Sequence, residues 1–95
     1  MEGVNIIDDI RIIELYFERN EQAIKETDIK YGKFCRNMAY KILNNHQDSE
    51  ECVNTTYLEV WNRIPPTRPA KFKAYISIIV RDISIDKLRH LTAKK

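Results

Sequence analysis

A chain of 95 residues is long enough to bury one hydrophobic core and too short for two. With 43% hydrophobic and 32% charged residues it has the make-up of a folded domain, not of a disordered segment, and no apolar run approaches the ~20 residues of a membrane span. The net charge of +2 hides a division: residues 1–62 carry seven Lys/Arg against twelve Asp/Glu, and residues 63–95 carry nine against two. Such asymmetry points to a polyanion-binding surface in the last third, or to an ordinary solvated basic face.

Two glycines and three prolines leave little turn punctuation, so long helices are expected. Asp8 or Asp9 can start a first helix over about 8–19, with Ile10, Ile13 and Phe17 inward and Ile6 and Ile7 stapling its entry. Asn20 then reads as an N-cap, and Glu21 supplies a carboxylate for the next helix N-terminus. The second helix, over about 21–43, has the stripe Ile24, Thr27, Tyr31, Cys35 (or Phe34), Met38 and Ile42 at steps of three and four. Gly32 interrupts it at a cost of roughly 1 kcal/mol relative to Ala, which close helix packing would justify. Residues 44–47 form the next turn, with His46 as a solvated turn residue.

Asp48 can cap a third helix over about 48–64, and Glu51, three residues on, has the capping-box spacing. Ser49, Val53, Thr56, Tyr57, Val60 and Ile64 recur as one inward stripe. Opposite them lie Glu51, Asn54, Thr55, Glu59 and Asn62, with Leu58 in their midst, either a single exposed apolar residue or a partner contact. The sequence P-P-T-R-P cannot continue the helix and holds the chain extended, flanked by Arg63, Arg68, Lys71 and Lys73. A fourth helix, over about 70–91, has Phe72, Ile76, Ile79 and Ile83 as its core stripe. Ile78, Ile85 and Leu88 lie on another side, so this helix is sandwiched between neighbours or has a second partner surface. Tyr75, Asp82, Asp86 and Arg89 run along one edge. With no strand pattern and no repeat, the expected fold is all-α: a compact four-helix domain with three long helices.

The chemistry-bearing residues are few. Cys35 and Cys52 fall inside helical patterns and, without a secretion signal, read as reduced, half-buried thiols in a cytoplasmic protein. Together with His46 and His90 they match no zinc spacing, so neither metal nor cofactor is expected. There is no Gly-rich phosphate loop and no nucleophile–base pattern. Asp82 and Asp86, one turn apart, are the only candidate acid–base pair, and charge patterning at a helix edge explains them more simply. An enzyme is therefore not expected. Two classes remain: a nucleic-acid-binding domain, or a non-catalytic helical protein-interaction module with a basic C-terminal third.

The third helix also carries a resemblance. D-S-E-E-C-V-N-T-T-Y-L-E-V-W is similar to the segment D-A-E-D-(apolar)-(apolar)-Q-(D/E)-T-F-(L)-x-(apolar)-W of bacterial RNA polymerase sigma factors, most of all the small extracytoplasmic-function (ECF) type. Asp48, Glu50, Thr56, Leu58 and Trp61 match, Ser49, Glu51 and Tyr57 nearly match, and Asn54 stands for the glutamine. The segment from Arg19 to Leu43 is similar to the family's R-(D/N)-E-x-A…Y…A…L helix, and that from Phe72 to Arg89 to its F-x-x-W-L-x-x-I-x-(R)-N…D-x-x-R helix, in the same order and spacing. The domain thus resembles sigma region two, which docks on polymerase and opens promoter DNA.

The resemblance implies that Asp48, Glu51, Asn54, Thr55 and Leu58 contact the clamp helices of the polymerase beta-prime subunit. It implies that Arg68, Lys71, Lys73, Tyr75, Arg81, Asp82 and Arg89 face the non-template strand of the minus-ten element, with an anti-sigma factor as a further partner. Tyr75 and Tyr57 are the aromatics nearest the loop able to stack a base, although a core position is the plainer reading of each. Tyr75 stands where the family usually has Trp, and Asp82 where it has Asn; a carboxylate there cannot donate a hydrogen bond and repels phosphate. The family's second, helix-turn-helix domain has no counterpart in these 95 residues.

Overall fold

The computed structural model describes residues 7–93 and contains four helices: α1 (Asp9–Phe17), α2 (Gln22–Leu43), α3 (His46–Arg63) and α4 (Phe72–Thr92). The protein is all-α, with α2, α3 and α4 packed on one another and α1 laid against α2.

Of the two aspartates that could begin α1, Asp8 is the cap: extended, its Oδ1 accepts from the Arg11 amide at 3.0 Å. Asp9 is freed to tie α1 to α2, accepting from Lys30 Nζ at 2.8 Å and from the Tyr31 hydroxyl at 2.8 Å. The inward face of α1 differs from the expected one. Ile12, Ile13, Leu15 and Tyr16 are buried, Phe17 is half-buried, and Ile10 faces out at 68% exposure. In a helix of nine residues two candidate stripes fit the spacing, and the one carrying Tyr16 wins because its ring meets Trp61 and Phe72, with centroids 6.1 and 6.0 Å away. Of the expected staple, Ile6 lies outside the described residues, while Ile7 packs against the core.

Asn20, expected as the cap of α2, lies one residue ahead of the N-cap position, which Glu21 holds without a side-chain bond; the Asn20 Oδ1 still accepts from the Gln22 amide at 2.9 Å. Along α2 the buried positions are mostly small, Ala23, Thr27, Gly32, Cys35 and Ala39, with Leu43 at the end of the helix. Ile24, Tyr31, Phe34, Met38 and Ile42 flank them, half-buried. Small side chains lie where neighbouring helices approach most closely and large ones seal the margins. Thr27 satisfies its hydroxyl locally by donating to the Ala23 carbonyl at 2.8 Å, so the 2.7 Å bond between Tyr16 and Thr27 is donated by the tyrosine. At Gly32 the tightest constraint comes from side chains of α2 itself, not from the neighbouring helix that was expected. A Cβ there would come within 2.7 Å of Arg36 Nη2, so the glycine clears the path by which Arg36 folds back to Asp28, at 3.1 Å.

The α2–α3 connection corrects the expected start of α3. Asn44, left-handed at φ 53°, closes α2 with its amide on the Tyr40 carbonyl. Asn45 is the cap, accepting from the Asp48 amide at 2.8 Å. Asp48 therefore sits in the first turn, the capping box with Glu51 does not form, and His46 is helical and stacked on Tyr40 at 4.4 Å. The inward stripe of α3 is as expected: Ser49, Val53, Thr56, Tyr57, Val60 and Ile64 are all buried. Ser49 and Thr56 are tolerated there because each donates to the carbonyl four residues back.

The C-terminal end of α3 is held by a residue far away in sequence. Arg19, left-handed at φ 56° between α1 and α2, donates from Nη1 to the carbonyls of Trp61 (2.9 Å) and Ile64 (2.7 Å). Its guanidinium lies 3.7 Å above the Trp61 ring. A cation at this helix end answers both the unpaired carbonyls and the negative pole of the helix. Arg19→Ala is expected to destabilise the domain by about 1–2 kcal/mol, the lower part of the range for charged hydrogen bonds because the site is exposed. Arg19→Lys should recover only part, since an ammonium neither stacks flat nor forks. Urea denaturation of the three proteins checks this.

After α3 the chain does not run straight on extended as expected: it turns at residues 64–66, the Thr67 amide bonding back to the Arg63 carbonyl at 2.9 Å, and bends again at residues 70–71 before α4. That helix begins at Phe72. It packs on both α2 and α3, which explains its apolar residues on more than one side. Phe72, Ile76, Ile79, Val80 and Ser84 are buried, Ile83, Ile85 and Leu88 are half-buried, and Ile78 is 61% exposed. Among the described residues no helix is long and apolar enough to cross a membrane.

Candidate functional site

The outer face of α3 is assembled as the helical period requires: because the inward stripe is buried, Glu51, Asn54, Thr55 and Leu58 project together, with Leu58 59% exposed. Asp48, one turn nearer the N-terminus, is half-buried. Glu51 is engaged by Lys87 of α4 at 3.4 Å. On the flank toward α2, Asp28 accepts from Arg36 at 3.1 Å and from the Tyr57 hydroxyl at 2.7 Å, with Glu50 3.7 Å from Arg36. Burial, and then the bond donated to Asp28, push the Tyr57 phenol well above its ordinary range. Tyr57 is therefore a core residue anchored by its hydroxyl and unable to stack a base, as its plainer reading held.

The second feature is the basic loop and the start of α4. Arg68, Lys71 and Lys73 are exposed. The Arg68 guanidinium lies 4.2 Å from the centroid of Phe17, and Lys73 Nζ lies 4.7 Å from that of Phe34. Tyr75, half-buried, packs against the core with its hydroxyl enclosed.

A family model described as Sigma-70 region 2 matches residues 29–93, which take in most of α2, all of α3, the loop and α4. The chain belongs to the sigma-70 region 2 family. No curated protein and no solved structure gave a significant match. Region 2 is a non-catalytic part of sigma factors, and its roles in transcription initiation are promoter recognition and binding of core RNA polymerase; those are the roles of this domain.

Within this region 2 domain the residues expected to meet DNA do not form one cluster. Arg68, Lys71 and Lys73 stand at the loop, whereas Arg81, Asp82 and Arg89 line a groove of about 710 Å³ between α3 and α4. Its opposite wall contains Thr55 and Glu59 from the polar face of α3. Asp82 thus faces a groove shared with that polar face. Both cysteines are buried; burial pushes the Cys35 thiol up to about 11, and raises that of Cys52. Among the described residues no three His, Cys, Asp or Glu side chains are grouped to hold a metal ion.

Sequence reasoning missed Arg19, Phe17, Phe34 and Lys87 as parts of these surfaces. Arg19 carried a usable signal, since it opens the segment that resembles the family. The other three had none, because their partners lie 36 to 51 positions away and outside their own helices.

Proposed function

We propose that this domain is the promoter-opening part of an ECF-type sigma factor, acting in the bacterial cytoplasm. In this reading the outer face of α3 docks on the clamp helices of the polymerase beta-prime subunit, and the loop and α4 hold the non-template strand of the minus-ten element. The observation that carries it is the segregation of α3 within the matched region. One side is wholly committed to the core, while Glu51, Asn54, Thr55 and Leu58 are left on the other around an exposed leucine. An apolar residue ringed by polar ones on a rigid helix is the anatomy of a small protein interface.

Opening DNA in this way needs no bond chemistry. Cations bind the phosphates of the single strand, and the binding free energy offsets the cost of unpairing. Arg68, Lys71 and Lys73 can do this because, among the described residues, none of them is engaged by a carboxylate. An anti-sigma factor covering the α3 face would silence the domain.

The test has two arms. The parent protein is expected to retain bacterial core polymerase in a pull-down. With core enzyme present, a salt titration against labelled minus-ten non-template strand should show each phosphate contact adding about 0.7 to the slope of log affinity on log salt. Replacing Lys71 and Lys73 together by Ala should weaken binding to every sequence and flatten the slope by up to about 1.4. An unchanged slope, with both proteins folded and polymerase-bound, would make these lysines ordinary solvated surface.

A further inference from the structure

The loop cations are not free-swinging. Arg68 lies against Phe17, the last residue of α1, and Lys73 against Phe34, in the middle of α2, at 4.2 and 4.7 Å from the ring centroids. Both rings are half-buried and packed on the core, so each is a fixed platform with one face outward. Between the two cations in sequence, Phe72 is buried and contacts Tyr16 of α1 and Tyr31 of α2, each with centroids 6.0 Å apart. The residues next to and one turn before the two platforms are thus locked to the start of α4. α1 and α2 therefore set where the loop's charges stand, although neither helix carries a residue expected to touch the strand.

We propose that Phe17 and Phe34 are positioning residues for nucleic-acid binding, which hold Arg68 and Lys73 in the orientation that takes the strand's phosphates. The proposal rests on the reading of the loop as a strand-binding surface. A long cationic side chain loses rotamer freedom when it binds, and one already laid on an aromatic face has lost much of it beforehand. The ring's negative face attracts the cation without neutralising it, so the charge and the outward N–H groups remain available to an anion. A carboxylate in the same place would cancel the charge.

The test uses the whole chain with core polymerase and labelled minus-ten non-template strand. Phe17→Leu and Phe34→Leu keep apolar volume but remove the ring face, and each should weaken strand binding about two- to fivefold. Phe17→Tyr and Phe34→Tyr keep the face and should bind as the parent does. In an Arg68→Ala background, Phe17→Leu should cause no further loss, because the ring acts only through that arginine. The same holds for Phe34→Leu in Lys73→Ala. Where a leucine variant lowers the melting temperature, the corresponding methionine variant tests the same ring. Leucine variants that bind like the parent, while Arg68→Ala and Lys73→Ala bind more weakly, would overturn the positioning role alone. If the two alanine variants also bind like the parent, the strand-binding reading of the loop falls and the positioning role with it. Equal losses from Phe17→Leu with and without Arg68 would likewise overturn it, as a purely structural effect.

Discussion

Val60→Asp should leave the domain largely unfolded. Val60 is wholly buried on the inward stripe of α3, between the turns of Thr56 and Ile64, which are equally inaccessible. A carboxylate placed there finds no cation to pair with on its own stripe, where every neighbour is apolar or has its hydroxyl already bonded, those of Ser49 and Thr56 to the helix backbone and that of Tyr57 to Asp28. The cost is several kcal/mol, relieved only in part if the group binds a proton instead of ionising. Domains of this size hold roughly 5–14 kcal/mol in total, so one such change takes a large share of it. Asn62→Asp, two residues on and exposed, should alter stability by no more than about 0.5 kcal/mol. Thermal melts of the two variants beside the parent make the comparison, and equal melting of Val60→Asp and parent would contradict the burial of this stripe.

Leu58→Ala combined with Glu51→Lys should abolish retention of core polymerase while the helical content and melting temperature stay close to those of the parent. Both side chains are exposed, 59% for the Leu58 residue and 62% for the Glu51 side chain, so their replacement empties no core. The change at position 51 does disturb one contact, the 3.4 Å pair with Lys87, and sets two ammonium groups near one another. For a pair this open to solvent the effect on stability is within about 1 kcal/mol, too small to unfold the chain. On a docked face the same change reverses a charge beside the only exposed leucine of α3, where interface energy concentrates. A well-folded double variant that still binds polymerase fully would move the docking surface elsewhere, the groove between α3 and α4 being the next to test. Loss of binding together with loss of fold would return Leu58 to the core.

Much of the helix content was legible because it depends on neighbours three and four positions away. All six stripe residues of α3 are buried as expected, joined by Cys52, which was expected only half-buried. The face opposite is exposed apart from a half-buried Glu59, since a long helix with a single apolar side admits only one rotation against a core. The all-α class followed from the same periodicities and the scarcity of Gly and Pro. Membership of the family was legible too, because its motifs fall on those helices in a fixed order. Local hydrogen bonding settled the helix ends less well. At the start of α3, Asn44, Asn45 and Asp48 all suit a terminus, and the two asparagines took the left-handed and capping positions.

What only the tertiary structure decided is where residues distant in sequence meet. It chose between the two faces of the short α1, turning Tyr16 inward and Ile10 out, because the ring contacts that favour this come from α3 and α4. It made Asp28, Arg36 and Tyr57 one bonded unit, with Gly32 leaving the room for it, and gave Arg19 the end of α3 to hold. It also divided the basic third, seating Arg68 and Lys73 on rings of α1 and α2 while leaving Arg81 and Arg89 in a groove with acidic neighbours. Periodicity reports which side of a helix is apolar, and composition reports how much charge a segment carries. Neither contains the rotation and approach of one helix against another, and those set which ring lies beneath which cation.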